Sequence, residues 1–384
     1  MPAPRPRRRH ASLPPRHAYH GSRPPCATSR GMSLAGARMS MISLCRPSLP
    51  CLKRVASLAL VALLLAAPLS QARERSSATP VALQREAERL AGQLRGSVGA
   101  AAIHVESGRS VFVDGDRAFP MASTMKLPVA VHILKQVDEG TLSLTQQVLL
   151  APGDVYPQMG GPMDLHLTPG SAITVRDLLH MMITVSDNNA TDLLLRLGGG
   201  TAAVDARMRA LGIDGIRVDR YIWELLANYY GDAVASQATP LDAEGYGALA
   251  ASDRDADERR RNMDAYNADP RDTATARAMA TLLARLWRGE LLSADSTQLL
   301  QAIMQATRTG GDRLRGALPP HTPVAHKTGT VGDMVNDVGV ITLPDGRGHV
   351  VVVAFVQSDA PAATRAGTIA QLARAAHDYF LFVP

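Results

Sequence analysis

Apolar side chains in this sequence follow two different periods, and their order along the chain restricts the fold more than any other feature. Residues 97–105 and 110–113, and later residues 335–343 and 350–356, have the apolar pattern of β-strands. Helical patterns dominate residues 123–318 between them. Strands at both ends of a helical middle predict an α+β fold, in which both termini complete one antiparallel sheet.

Helical patterns also lie next to these strands, over residues 80–96 and 362–379. We therefore predict helices flanking the sheet, in an α/β domain made of residues 73–120 and 321–384. Residues 121–320 are then an inserted all-α domain.

The first 72 residues differ in composition from the rest of the chain. They hold eleven of the 41 basic residues and no acidic residue, which leaves 30 basic and 35 acidic residues beyond them, a net charge of −5. Two basic residues precede an apolar run over residues 55–67, and Ser70 and Ala72 have the size required at a cleavage site. This order predicts a signal peptide, residues 1–72, cut after Ala72, and a periplasmic or secreted protein.

The same segment bears on the partners of the protein. Its apolar run is shorter than the roughly 20 residues that span a bilayer, so we expect no stable membrane anchor. A mildly acidic mature chain favours no nucleic-acid partner. All three cysteines, Cys26, Cys45 and Cys51, precede the cut, and the histidines lack metal-ligand spacing. We therefore expect no disulfide, no metal and no cofactor.

Lysine is rare in this chain, with four residues against 37 arginines. Burial can make a lysine lose its proton, whereas a guanidinium keeps its charge, so a retained lysine suggests proton transfer. Lys126 follows Ser123 by three residues in a helical pattern, so the two side chains share one face. Alone, this pair is more typical of an ordinary capped helix.

Two further motifs follow the Ser-x-x-Lys pair of Ser123 and Lys126. Ser186-Asp-Asn188 lies in the helical region, and Lys327-Thr-Gly opens a late strand. This set in this order is the signature of penicillin-recognising serine enzymes. From about residue 80 to its end, the chain resembles the class A β-lactamases. The resemblance extends beyond the motifs to residues 119–128, 271–280, 289–293 and 336–345.

The resemblance implies a β-lactamase/transpeptidase-like fold with five strands, and a monomer that hydrolyses small-molecule β-lactams through an acyl-enzyme. Ser123 is then the nucleophile, and Lys126 helps to take its proton. Ser186 relays a proton to the departing lactam nitrogen, with electrostatic help from Lys327. Asn188 is expected to hydrogen-bond the substrate amide.

The Lys-Thr-Gly strand is expected to bind the substrate along its length. The resemblance assigns the substrate carboxylate to Thr328 and an oxyanion hole to the N–H groups of Ser123 and Thr330, with Gly329 between the two threonines. Arg313 is a candidate for the cation facing that carboxylate, with a structural ion pair as the alternative. Tyr156 is expected to stack over the ligand or to be an ordinary surface tyrosine.

Deacylation needs a carboxylate that activates water, and Glu224 is the candidate. It lies in a Trp-Glu pair, and Asn228, four residues on, is expected to help hold the water. The alternative is a solvated glutamate on a short helix. Leu225 stands where the family usually has proline, and Arg220 fits the expected lead-in only with two inserted residues.

Residues 229–271, a stretch of 43, replace a much shorter loop of the family and are called the insertion below. Its many charges favour a solvated, partly disordered segment. Long loops are also often lids, so a border of the acyl site is the alternative.

Two other functions share these motifs. A D-alanyl-D-alanine carboxypeptidase or penicillin-binding protein has the three motifs but lacks the deacylating glutamate. A non-turnover penicillin-binding sensor acylates once and stops. Glu224 favours the lactamase over the peptidase, whereas Leu225 and the long insertion leave the sensor open as an alternative.

Overall fold

The structure is a computed structural model and describes residues 80–383, so the predicted signal peptide and its cut lie outside the described residues. The strands are β1 (Ser97–His104), β2 (Ser110–Val113), β3 (Ala118–Pro120), β4 (Gln147–Leu149), β5 (Ala172–Thr174), β6 (Thr273–Thr275), β7 (Val324–Val331), β8 (Met334–Thr342) and β9 (His349–Gln357). The helices are α1 (Val81–Gly92), α2 (Lys126–Asp138), α3 (Met163–His166), α4 (Val175–Thr184), α5 (Asn188–Leu197), α6 (Thr201–Ala210), α7 (Ile222–Tyr229), α8 (Ala243–Ala251), α9 (Ala256–Ala268), α10 (Ala276–Trp287), α11 (Ala294–Gln305) and α12 (Ala362–Phe382). Between residues 80 and 383, no helix has both the length and the apolarity that crossing a membrane requires.

A five-stranded sheet is built from both ends of the described chain. Its order is β2-β1-β9-β8-β7, and every neighbouring pair is antiparallel. The early strand β1 pairs with the late strand β9, where Ala101 lies opposite Val353. The predicted α+β fold with a sheet completed by both termini is therefore confirmed.

Both faces of the sheet are covered, and β1 shows this residue by residue. Ala100 and Ala102 lie in the core under α1 and α12, whereas Ala101 and Ile103 lie in the core that includes α10. Strands buried on both faces have nearly continuous apolar sequences, which is the pattern seen here.

The helical region is organised around α2, whose residues are buried from Lys126 to Leu134. Helices α4, α5, α6 and α11 pack against it. The short strand β3 pairs with β6 and leads into the 3₁₀ turn (Ala122–Met125) that precedes α2. A separate all-α domain over residues 121–320 stays a prediction.

The insertion is folded into two helices, α8 and α9, which corrects the expectation of a partly disordered segment. Each helix begins at an aspartate whose side chain accepts a backbone N–H: Asp242 from Gly245 and Asp255 from Glu258. Each has one buried tyrosine, Tyr246 in α8 and Tyr266 in α9, while most other residues are exposed or half-buried. One buried residue per helix produces no periodic apolar pattern, so the sequence alone did not indicate helices α8 and α9.

Candidate active site

Ser123 lies in the 3₁₀ turn that connects β3 to α2. Directly before it, Ala122 has φ +47°, a left-handed conformation that costs free energy for a residue with a Cβ. The side-chain amide of Asn336 donates to the carbonyls of Pro120 at 2.9 Å and Met121 at 3.1 Å, which holds the approach to this turn. The strained backbone is therefore stabilised from strand β8, and the half-buried Ser123 is placed at a helix N-terminus.

Lys126 is fully buried one turn after Ser123, and its amine is held by the second motif. The Nζ atom donates to the Ser186 carbonyl at 2.7 Å, to Asn188 Oδ1 at 2.6 Å and to Ser186 Oγ at 3.2 Å. Burial lowers the pKa of Lys126 to about 7, although the carboxylates of Asp187 and Asp192 act in the opposite direction. The amine can therefore both accept and release a proton near neutral pH.

The hydroxyl of Ser186 lies between two lysine amines. Lys327 Nζ donates to Ser186 Oγ at 2.9 Å, opposite the contact from Lys126. Ser186 has φ +61°, and the following Asp187 caps α5 by accepting the Ala190 N–H at 2.8 Å. Burial, followed by the nearby charge of Lys126, lowers the pKa of Lys327 well below its usual value. This arrangement can pass a proton through the hydroxyl.

Gly329 brings the edge strand β7 against the backbone of Ser123. A Cβ at position 329 would lie 2.6 Å from the Met121 carbonyl oxygen and 3.2 Å from the Ser123 nitrogen. Only glycine permits this approach, which explains its place in the motif. Next to it, the hydroxyl of Thr328 shares a 2.6 Å hydrogen bond with that of Thr309.

Arg313 lies against the same strand. Its guanidinium donates to the carbonyls of Gly329 at 3.1 Å and Asn336 at 2.9 Å, and to the hydroxyl of Thr330 at 2.7 Å. None of these three acceptors is a carboxylate, so the contacts do not favour the alternative of a structural ion pair. The guanidinium keeps its positive charge beside Thr330.

Glu224 is buried in the first turn of α7, and each of its carboxylate oxygens accepts one backbone N–H. Tyr221 donates to Oε2 at 2.8 Å, and Gln237 of the insertion donates to Oε1 at 2.6 Å. Burial raises the pKa of Glu224, while these two N–H groups act to lower it. The alternative of a solvated glutamate is therefore wrong for this structure.

Asp192 is a residue of the site that sequence reasoning missed. Its two oxygens accept the N–H groups of Ile222 at 2.6 Å and Trp223 at 3.0 Å, so it holds the start of α7. Burial raises the pKa of Asp192 to about 7, against the effect of these two N–H groups and of the Lys126 charge. Its position four residues after Asn188 on one helix was the available signal.

Asn228 holds the beginning of the insertion. Its amide nitrogen donates to the carbonyls of Asp232 at 2.8 Å and Ala235 at 3.0 Å, and its oxygen accepts from Arg220 at 3.0 Å. Both amide hydrogens are used in this way. The predicted contact with a water beside Glu224 stays a prediction, and it requires a rearrangement of this side chain.

A buried ion pair between Arg220 and Asp272 anchors the residues that directly precede α7, the helix of Glu224. Arg220 Nε lies 2.6 Å from Asp272 Oδ2, and the two side chains are 4% and 1% exposed. The other oxygen of Asp272 accepts the N–H groups of Asp219 at 2.7 Å and Arg220 at 3.1 Å. Arg220, the predicted lead-in residue, therefore lies next to Asp272 at the start of residues 271–280.

Tyr156 is packed into an aromatic cluster. Its ring is stacked on Trp223 at 5.8 Å and meets Tyr246 edge-on at 5.4 Å, while its hydroxyl donates to the Leu241 carbonyl at 2.9 Å. These contacts connect α7 to the insertion. Stacking of Tyr156 on a ligand stays a prediction.

Comparison with known proteins adds an independent line of argument. The sequence model of the β-lactamase enzyme family matches residues 82–380. The β-lactamase VEB-1 of Pseudomonas aeruginosa is 30% identical over 292 residues, which cover 74% of this chain and 85% of that protein. A β-lactamase of Streptomyces albus G is 30% identical over 296 residues, covering 74% of this chain and 82% of that protein.

Solved structures agree with this result. A β-lactamase from Chitinophaga pinensis superposes with a TM-score of 0.64 at 30% identity, covering 77% of this chain and 98% of that one. The TLA-1 extended-spectrum β-lactamase has a TM-score of 0.65 at 25% identity, covering 79% of this chain and all of that one. Motifs, fold and relatives agree, and the chain belongs to the β-lactamase enzyme family.

Proposed function

We propose that the protein is a class A serine β-lactamase that hydrolyses the β-lactam amide bond through an acyl-enzyme on Ser123. The observation that carries this proposal is the Ser186 hydroxyl held between Lys126 at 3.2 Å and Lys327 at 2.9 Å. Lys126 lies one helical turn from Ser123, so a proton route leads from the nucleophile to the leaving nitrogen.

In the acylation step, Ser123 Oγ attacks the lactam carbonyl carbon while its proton passes to neutral Lys126. Charge then develops on the carbonyl oxygen, where the N–H groups of Ser123 and Thr330 stabilise it. The lactam C–N bond breaks as the nitrogen receives a proton from Ser186, which is re-protonated through the lysine amines. The product is an ester on Ser123 and a free amine.

In the deacylation step, Glu224 takes a proton from water as the water oxygen attacks the ester carbon. The bond to Ser123 Oγ breaks, and the proton that Glu224 took from the water is returned to the serine oxygen, which regenerates the carboxylate. Burial raises the pKa of Glu224 against the effect of its two backbone donors, which makes the carboxylate a stronger base. The penicillin-binding peptidase and the sensor are not expected to use such a glutamate for hydrolysis of a penicilloyl ester.

Substrate orientation is assigned to the polar groups around β7. Arg313 and Thr328 face the substrate carboxylate, Gly329 allows the backbone approach, and Asn188 binds the side-chain amide. In the structure, Asn188 accepts from Lys126 at 2.6 Å, so it also aligns the amine.

Turnover of a chromogenic cephalosporin tests the function. The wild-type protein should show sustained hydrolysis, Glu224→Gln a single stoichiometric burst, and Ser123→Ala neither phase. A burst without turnover in the wild type would instead favour the penicillin-binding peptidase or the sensor. Steady hydrolysis by Ser123→Ala would refute the nucleophile.

We also propose that the protein is exported after cleavage behind Ala72 and acts as a periplasmic or secreted monomer. The leader composition supports export. N-terminal sequencing of protein recovered outside the cytoplasm tests the cut, and size-exclusion chromatography tests the monomer. A mature protein that still begins before residue 72 would contradict the proposed cut.

A further inference from the structure

The insertion touches the proposed base directly. Gln237, inside the insertion, donates its backbone N–H to Glu224 Oε1 at 2.6 Å. The other oxygen is bound by Tyr221, which belongs to the start of α7 itself. One half of the carboxylate is therefore held by α7 and the other half by the insertion.

A tight turn presents this N–H group. Ser236 and Thr239 form an isolated β-bridge, and the Thr239 N–H donates to the Ser236 carbonyl at 2.9 Å. Gln237 and Ala238 occupy the centre of the turn, and neither has a positive φ. The Asn228 amide fixes the chain just before this turn through its contacts with the carbonyls of residues 232 and 235.

The far end of the insertion is also anchored. Asn267 of α9 donates to both carboxylate oxygens of Asp333, at 3.1 and 3.0 Å, in the turn between β7 and β8. The Asp333 N–H meets the sulfur of Met263 at 3.0 Å, and a Cβ at Gly332 would collide with that sulfur. The insertion therefore extends from the Glu224 carboxylate to the hairpin that carries Thr330, and it is held at both ends.

We propose that the backbone N–H of Gln237 is a positioning group for Glu224, so that the insertion sets the rate of deacylation. This inference rests on the proposed role of Glu224 as the base. The donor fixes the carboxylate plane and leaves the remaining lone pairs for a water molecule. It also favours the ionised form, which is the form that accepts a proton.

Besides burial, negatively charged neighbours of Glu224 raise its pKa, and the Gln237 N–H opposes this effect. Asp272 and Asp192 both disfavour a further negative charge at Glu224, and the hydroxyls of Tyr221 and Tyr156 face the same region. Within residues 80–383, Tyr221 and Gln237 are the residues that donate hydrogen bonds to this carboxylate. Gln237 lowers the pKa of Glu224 mainly through its backbone N–H and additionally through its side chain, which the variants Gln237→Pro and Gln237→Ala both lack. Loss of the donor should therefore raise the pKa of Glu224.

A pair of substitutions at position 237 isolates the N–H group. Gln237→Pro removes it, and proline suits the second position of a turn with negative φ. Gln237→Ala removes only the side chain. Relative to Gln237→Ala, we expect Gln237→Pro to lower kcat about tenfold, the size expected for one hydrogen bond to a charged group. The acidic limb of its kcat profile should move to higher pH by roughly one unit.

The acylation burst separates a positioning effect from misfolding. Gln237→Pro should keep a stoichiometric burst with an unchanged burst rate, because Ser123, Lys126 and Lys327 do not contact the insertion turn. Equal kcat and equal pH profiles for the two variants would overturn the inference. Turnover that persists in Glu224→Gln would instead refute the proposed base, which is a different outcome.

Amide hydrogen exchange in the wild-type protein keeps the inference testable if Gln237→Pro does not fold. The Gln237 N–H should exchange more slowly than that of Ala238, for which the described residues offer no hydrogen-bond partner. The protection factor of the Gln237 N–H, the exchange rate of a free amide at the same pH divided by its own rate, should also fall when pH falls through the acidic limb of kcat. Equal exchange at the two positions would overturn the inference.

Discussion

Replacing Asp272 by Asn tests whether the buried ion pair holds the Glu224 segment in place. Asp272 uses one oxygen for Arg220, at 2.6 Å, and the other for two backbone N–H groups. Asparagine has the same shape but a single acceptor oxygen. Whichever way its amide turns, its NH₂ group faces a donor, and the buried Arg220 loses its main counter-ion.

The structure sets the size of this effect. Removing one partner of a buried pair costs about 3–5 kcal/mol. Arg220 keeps a second carboxylate, Asp269 at 3.1 Å, so we expect the lower end, about 3 kcal/mol. At roughly 2 °C per kcal/mol for a chain of this length, Tm should fall by about 6 °C.

Thermal unfolding and burst kinetics together form the assay. Asp272→Asn should lower Tm and slow deacylation more than acylation, because the pair holds the segment of Glu224 and does not contact Lys126. Asp116→Asn is the matched control, since Asp116 pairs with Arg277 in solvent. Equal Tm and equal turnover for the two variants would show that the Arg220–Asp272 pair does not hold the segment of Glu224.

Three further predictions concern the acylation half of the site. Because the pKa of Lys126 is about 7, the burst rate in the Glu224→Gln background should rise with pH and fall to about a tenth of its maximum at pH 6; a flat profile from pH 5.5 to 8.5 would contradict this. Gly329→Ala would place a Cβ 2.6 Å from the Met121 carbonyl oxygen, so its burst should slow by at least about tenfold, and an unchanged rate would contradict the close approach. Arg313→Ala should raise KM about tenfold for carboxylate-bearing β-lactams with a smaller change in kcat, whereas a change confined to Tm would indicate a purely structural arginine.

The sheet could be predicted because its apolar pattern is local and strong. Ala100 and Ala101 point to opposite faces, and both faces are buried, so the central strands β1 and β9 are nearly continuous apolar runs. The number of strands came from the resemblance to a family, and the order of the strands is a result of the structure, since periodicity does not specify which strands pair.

The centre of the site could be predicted because its residues lie in short motifs. The spacing of Ser123 and Lys126 places them on one helical face, and the structure adds that Lys126 and Lys327 both reach Ser186. Burial of the two amines is a property of the packed core, so the low pKa of Lys126 was not readable from the motif.

The deacylation side of the site was less accessible to sequence reasoning. Gln237 acts through its backbone N–H, and any residue type except proline offers that group. Asp192 in α5 binds backbone N–H groups at the start of α7. Asn228 binds carbonyl groups of the insertion. The spacing from Asn188 could point to Asp192, but not to the N–H group 30 residues away that it binds. The nearer contacts of Asn228 and Gln237 depend on how the insertion folds, which a single sequence does not specify.

The most direct test of the account is the mass of the intact protein after mixing with benzylpenicillin. The wild-type protein should return to its free mass while substrate is consumed. Glu224→Gln should retain one added substrate mass, and peptide mapping should place it on Ser123. An adduct on another residue, or a variant that clears its adduct at the wild-type rate, would contradict the assignment of Ser123 as nucleophile and Glu224 as base.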